Sequence, residues 1–169
     1  MILQALLLSG IMVADLILFM VRILFVRYKG GNTMKEMMYK GSVENGQKVI
    51  DMLDEGIYKG FHYAIVSYGT HPCAYVEIPE GHELYDVSDE DELVDIDCHC
   101  GITYVSKTGL IKPSNKNHRD GHWIGWDYAH FGDYIYLPTN FEIWNEGKKW
   151  TTKEIFEDVK NVIEQLIKS

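Results

Sequence analysis

Residues 122–133 read His122-Trp-Ile-Gly-Trp-Asp-Tyr-Ala-His-Phe-Gly-Asp133, and the rest of the chain can be interpreted around this stretch. Residues 123–128 are rich in aromatic side chains and predict a strand, and the polar residues after them predict a turn. Asp127, His130 and Asp133 recur at every third position across this break. Imidazoles and carboxylates can bind a metal, move a proton or hold a ligand. The stretch therefore predicts a strand with a candidate site at its end.

Length and composition limit the class of protein. A chain of 169 residues has room for one domain, and its apolar and charged fractions of 46% and 24% are those of an ordinary globular protein. The formal charge of −9 argues against nucleic acid as a partner, because nonspecific binding needs clustered Lys and Arg. Three cysteines do not form a disulfide framework and favour a reducing compartment.

The first 33 residues differ from the rest of the chain. Residues 2–26 are almost entirely apolar, and the segment is long enough to cross a bilayer as a helix. The basic residues fall at or after Arg22, so the positive-inside tendency would make this a single-pass membrane protein with a cytoplasmic C-terminal domain. However, Asp15 and Arg22 each cost about 2.5–3.5 kcal/mol near the centre of an unpartnered span. The polar exceptions in the segment are Gln4, Ser9, Asp15 and Arg22.

An alternative interpretation is a mis-assigned start codon. Lys29-Gly30-Gly31 can be encoded by a purine-rich ribosome-binding sequence, and two further codons would separate it from Met34. The membrane would then be no partner, and the protein would be cytoplasmic in its host cell. Residues 1–33 hold three of the 16 basic and one of the 25 acidic residues, so residues 34–169 carry 13 and 24, a net charge of −11. On either interpretation, residues 34–169 are expected to form a single globular domain.

The first half of that domain shows three regular segments. Ser42–Glu55 has helical spacing of apolar residues with a Ser cap, and Gly56 follows it, which predicts a helix. Residues 61–68 and 73–78 are rich in β-formers and predict an antiparallel pair. The acidic residues 88–93 predict a short helix or a solvated loop.

The second half predicts further strands and a terminal helix. Residues 94–106 resemble a strand interrupted at Gly101, and residues 134–144 form a β-type run broken by Pro138. Thr151 and Glu154 form a capping-box pattern before an amphipathic stripe that runs to Leu166. The predicted fold class is α+β: a mainly antiparallel sheet flanked by helices, including a C-terminal amphipathic helix.

Three motifs resemble those of an uncharacterised family of small phage and prophage proteins. The motifs are Ile78-Pro-Glu-Gly-His-Glu-Leu-Tyr85, His99-Cys-Gly-Ile-Thr-Tyr104 and Gly125-Trp-Asp-Tyr-Ala-His-Phe-Gly-Asp133. The family carries PxGHPLY, HGGLTY and GFDxAHxGD in the same order, and the resemblance covers most of residues 60–169. It implies a phage context and adds no chemistry. The chain has Glu83 and Cys100 where the family has Pro and Gly, and the second departure argues against a thiol-based mechanism. The shared positions are His82, His99, Asp127, His130 and Asp133.

Four of these shared residues form the candidate catalytic or metal-binding set. Imidazole and carboxylate ligands suit zinc, manganese or iron, and a divalent metal with an open position could activate water. Without a metal, an Asp could orient a His that acts as a general base. The structural alternative is an Asx turn with a packing imidazole. The set comprises His99, Asp127, His130 and Asp133.

Aromatic residues could add a ligand-binding wall. Tyr104, Trp123 and Trp126, with His82, could stack a ring-shaped ligand, although alternation along a strand means that some of these side chains belong to the core. Cys98 and Cys100 can begin a zinc site, but a second ligand pair at the usual spacing is missing, which favours structural cysteines.

Three functions remain open from the sequence. The first is a small phage-type accessory protein that binds a host protein or a small ligand, with its acidic charge directed at a basic surface. The second is a small hydrolase that uses the His/Asp set, with a divalent metal or a general base. The third is a membrane-anchored protein. The sequence contains no Gly-rich phosphate loop, no GxSxG elbow and no HExxH motif.

Overall fold

The computed structural model describes residues 34–109, 121–137 and 146–169. The prediction of a membrane span or a mis-assigned start within residues 1–33 therefore lies outside the described residues. Within the described ranges, no helix is long and apolar enough to cross a membrane.

A five-stranded antiparallel sheet forms the centre of the molecule. Its strands, in the order in which they pair, are β3 (Asp51–Tyr58), β4 (Phe61–Ser67), β5 (Pro72–Ile78), β7 (His122–Asp127) and β6 (Tyr104–Ser106). Each strand pairs antiparallel with its neighbours. The large strands β4 and β5 are almost entirely buried, which explains their continuous runs of apolar and aromatic residues.

The α-helix α1 (Thr152–Leu166) covers one face of this sheet. The predicted capping box is confirmed: the Glu154 amide donates to Thr151 Oγ1 at 3.2 Å, and the Thr151 amide donates to Glu154 Oε2 at 2.9 Å. The apolar stripe of the helix packs against β3, β4 and β5. The α+β prediction is therefore confirmed. The resulting core includes Leu53, Ile65, Val76, Ile124, Trp126, Tyr128, Ile155, Val159 and Ile163.

The predicted helix over Ser42–Glu55 is wrong. This segment instead forms a small antiparallel hairpin, β1 (Val43–Glu44) with β2 (Gln47–Lys48), and then enters β3. Its turn residues Asn45 and Gly46 have φ values of 51° and 76°, the left-handed conformation that Asn-Gly adopts in a tight hairpin. The local preference for this turn therefore prevents a helix, despite the helical spacing of apolar residues.

The strand predicted over residues 94–106 is confirmed only at its end, in β6. The chain turns at Cys98–Gly101, where the Gly101 amide donates to the Cys98 carbonyl at 3.2 Å and Cys100 and Gly101 both have positive φ. Residues 88–93 contain the short 3₁₀ helix Glu90–Leu93, within the range of the prediction, and a second one spans Glu83–Asp86.

The β-type run predicted over residues 134–144 is not a strand in its described part. Residues 134–137 have no regular structure, and the rest of that run lies outside the described residues. The segment still joins the sheet region through single bonds, since the Tyr136 amide donates to the Thr70 carbonyl at 2.9 Å.

Candidate functional site

The candidate site lies where β7 ends and two turns meet. β7 is followed by the turn Tyr128–Asp133, and the Cys98–Gly101 turn leads into β6, which pairs with β7. The Thr103 amide donates to the Gly125 carbonyl at 2.9 Å, which brings the two turns to the same edge of the sheet. Residues distant in sequence therefore share one small region.

Asp133 is the buried anchor of this region, with 4% of its surface exposed. Oδ2 of Asp133 lies 2.7 Å from His99 Nε2 and accepts the His130 amide at 3.0 Å, while Oδ1 accepts Trp150 Nε1 at 2.8 Å. Burial by itself raises the pKa of this carboxyl, but the bonds from Trp150, His99 and the His130 amide outweigh it and hold the pKa below its usual value. Asp133 is therefore ionised and well satisfied.

The imidazole of His99 is fixed by its surroundings. It stacks on Tyr128 with 4.8 Å between ring centroids and 6° between ring planes, and Trp150 packs against it at 4.8 Å. About 20% of the side chain remains accessible. Together with the contact to Asp133, this arrangement fixes the ring plane while leaving part of the ring open to solvent.

Asp158 of α1 stabilises the position of His99 through hydrogen bonds. Its Oδ2 accepts the Tyr128 hydroxyl at 2.8 Å, Trp126 Nε1 at 2.9 Å and the His99 amide at 3.2 Å. Asp158 therefore binds both the backbone of His99 and the ring on which His99 stacks.

His130 stands beside this pair. Its ring lies edge-on to His99, with 5.6 Å between centroids. Its Nδ1 atom is buried without a hydrogen-bond partner, at 3.7 Å from Asp127 Oδ1 and 4.0 Å from Asp133 Oδ2. A buried polar atom that lacks a partner is uncommon in folded proteins.

Asp127 has a clear structural role. Its Oδ1 accepts the Ala129 amide at 2.9 Å, which is an Asx turn, and its Oδ2 accepts Thr103 Oγ1 at 3.2 Å. The geometry thus brings His99, His130 and Asp133 together, and Asp127 forms the turn beside them.

Cys100 completes the group. Its Sγ atom lies 3.9 Å from His99 Nε2, and one potential ligand atom from each of His99, Cys100 and His130 lies within 4.8 Å of the other two. Desolvation and the carboxylates of Asp133 and Asp127 raise the pKa of the Cys100 thiol. Burial raises the pKa of the neighbouring Cys98 to about 12. Neither cysteine is therefore poised as a thiolate nucleophile.

The aromatic wall expected from the sequence is not assembled. Trp126 lies in the core under α1, whereas Trp123 packs in a separate cluster on the opposite face of the sheet. Tyr104 contacts Tyr75 beside that second cluster. His82 instead bonds the Leu166 carbonyl at the end of α1 through Nε2, at 2.8 Å, and its ring packs edge-on against Phe61. The rings that line the site are instead those of Tyr128 and Trp150.

Three contributors were not found by sequence reasoning. Trp150 and Asp158 bond to site residues although they stand 17 and 32 positions away from their partners Asp133 and Trp126. His71 precedes β5 next to the end of β7, where Cys73 pairs with Asp127. Burial lowers the pKa of His71, while the charge of Asp127 opposes this and that of His130 adds to it. No local motif marks any of the three.

Comparisons of the chain with protein-family models, with curated proteins and with solved structures found no match.

Proposed function

We propose that the chain is a small hydrolase whose water-activating centre is formed by His99, His130 and Asp133. The observation that carries the proposal is the 2.7 Å contact between His99 Nε2 and the buried, ionised carboxylate of Asp133. A carboxylate bonded to one ring nitrogen fixes the tautomer of an imidazole and makes the other nitrogen more basic.

The chemistry needs an imidazole with a fixed orientation and access to water. Stacking on Tyr128 and packing of Trp150 fix the ring of His99, and its partial exposure admits a water molecule. An imidazole that has a fixed orientation and is partly exposed to water supports attack of water on an ester, an amide or a phosphoester. His130 adds a second imidazole beside the first, edge-on to His99 with 5.6 Å between ring centroids.

The experiment is a screen of phosphoester and amide substrates with the full chain, beside the variant Asp133→Asn. The substitution keeps the size of the side chain but removes the charge that orients His99. We expect the rate with any accepted substrate to fall at least about 10²-fold. The matched control is Asp91→Asn, an exposed carboxylate in the acidic segment, which should leave the rate unchanged.

Two results would contradict the proposal. Wild-type chain that hydrolyses no member of either substrate class would remove its basis. Full activity in Asp133→Asn would show that the hydrolysis does not depend on this centre.

A second candidate function rests on a different residue. Phe131 lies in the Tyr128–Asp133 turn and is 98% exposed. Aromatic side chains are enriched among the residues that contribute most of the binding energy in protein interfaces. This supports the binding of a host protein, for which Phe131→Ser should abolish capture of a specific partner while Asp133→Asn retains it.

A further inference from the structure

We propose that His99, Cys100 and His130 form a zinc site. Their potential ligand atoms lie within 4.8 Å of one another, and ligands bound to a tetrahedral zinc ion at 2.0–2.3 Å stand about 3.3–3.7 Å apart. The three side chains therefore need to move together by only about an ångström. Imidazole and thiolate ligands favour zinc over magnesium, calcium and manganese, which prefer oxygen.

The buried, unpartnered nitrogen of His130 is a second observation that points to a ligand at this place. Nδ1 is buried, yet it lies too far from the nearest carboxylate oxygens for a hydrogen bond, at 3.7 Å and 4.0 Å. The His130 amide bond to Asp133 and the Asx turn of Asp127 hold its backbone in place. A metal ion between His130 and His99 would give this nitrogen the partner that the protein does not.

The backbone of Cys100 gives a further argument. Its φ of 57° lies in the left-handed region, which glycine adopts readily and other residues adopt at a cost. A residue other than glycine in this strained backbone conformation indicates a role for its side chain. Zinc binding would displace the thiol proton of Cys100 to solvent and form the sulfur–zinc bond.

Asp133 would then act outside the ligand set. Its Oδ2 atom is bonded to Nε2 of His99, so zinc would bind the other ring nitrogen, Nδ1, and a carboxylate in this position orients a ligating imidazole. Three protein ligands leave the fourth position of zinc to water, which is the pattern of catalytic sites. For that role of the fourth position, the inference rests on the proposed hydrolase function.

The test is titration of the full chain with zinc and with cobalt(II). We expect one zinc ion per chain, and with cobalt a near-ultraviolet thiolate charge-transfer band. Cys100→Gly removes the sulfur and relieves the backbone, so this variant should fold, lose the band and bind zinc at least 10-fold more weakly. Asp133→Asn should keep the band and weaken zinc binding about 10- to 100-fold.

Cys98→Ala is the matched control, because Cys98 is two residues away but packs against the core. It should keep both the band and the affinity. The zinc site is refuted if the full chain takes up neither metal, or if Cys100→Gly keeps the band and the wild-type affinity.

The outcomes separate this inference from the proposed function. Stoichiometric zinc with Cys100 as ligand, but no hydrolysis, refutes the hydrolase and supports the zinc site. Hydrolysis that is unchanged by metal removal and by Cys100→Gly supports the hydrolase and refutes the zinc site.

Discussion

At the scale of single residues, one carboxylate oxygen connects the helix to the candidate site. Asp158 Oδ2 accepts bonds from Tyr128, Trp126 and the His99 amide. Asp158→Ala would leave these donors without their acceptor, although Trp126 and Tyr128 could still bond each other at 3.0 Å. We therefore expect the free energy of unfolding to fall by about 1–3 kcal/mol, measured by urea denaturation.

The neighbouring Glu157→Ala is the control for this prediction. Glu157 is exposed and forms a surface ion pair with Lys160, so its loss should change stability by less than about 0.5 kcal/mol. Equal effects of the two substitutions would show that Asp158 is not the anchor that its contacts suggest.

The residues of the site differ in how far the sequence could reveal them. His130 and Asp133 lie three positions apart in a polar turn after a strand, so the local pattern marked them. Cys100 was not marked as a ligand, because no second ligand pair at the usual spacing accompanies Cys98 and Cys100. Trp150 and Asp158 enter the site only through tertiary packing of α1 on the sheet, and no local pattern of one chain encodes such a contact.

At the scale of elements, the packing of β5 beside β7 depends on Gly125, because the Tyr75 ring lies against the backbone of β7 at this glycine. Gly125 lies in the middle of β7, and a Cβ atom there would meet the Tyr75 ring at 2.4 Å. Gly125→Ala therefore requires the ring or the strand to move, and we expect a loss of about 1–3 kcal/mol in the free energy of unfolding. Thermal and urea unfolding would measure it.

Gly46 provides the matched comparison. A Cβ atom there would meet nothing within 4 Å, so Gly46→Ala tests only its left-handed backbone, which we expect to cost about 1–2 kcal/mol. In Gly125→Ala, the added bulk should also weaken the pairing of β7 with β5, which Gly46→Ala should not. Unchanged β7 amide exchange in Gly125→Ala would contradict the argument from close approach.

The elements also show where periodicity fails as a guide. β4, β5 and α1 were predictable because each has a long, consistent pattern with clear ends. The segment 42–55 has helical spacing, but the two residues Asn45-Gly46 favour a hairpin strongly enough to override it. A short turn signal inside an apolar pattern therefore carries more weight than the spacing around it.

At the scale of the whole molecule, alternation along β7 divides the core in two. Trp126 faces α1 and Trp123 faces the opposite cluster, so the two tryptophans could not have formed one wall. The sequence predicted this alternation but not which face each ring takes, because that depends on which side of the sheet α1 packs. The order β5-β7-β6 likewise pairs segments that are distant in the chain, which local patterns do not specify.

The buried His122 makes the stability of this core depend on pH. The side chain is 1% exposed, and burial lowers its pKa below 6.5, although a backbone hydrogen bond with Tyr85 and the charge of Asp86 oppose this shift. As the pH falls through 6.5, the unfolded chain takes up a proton that the folded chain does not. The contribution of His122 to stability is therefore complete above that pH and decreases below it, by up to about 1.4 kcal/mol per pH unit.

Urea unfolding at about pH 8 and about pH 5 tests this prediction in wild type and in His122→Leu. The variant cannot take up a proton at this position, so its stability should fall less between the two conditions. Ile78→Val, at the position paired with His122, is the control: it should lower stability equally at both pH values. An identical loss on acidification in wild type and His122→Leu would mean that His122 is protonated equally in the folded and unfolded chains, and that the acid sensitivity of the fold arises elsewhere.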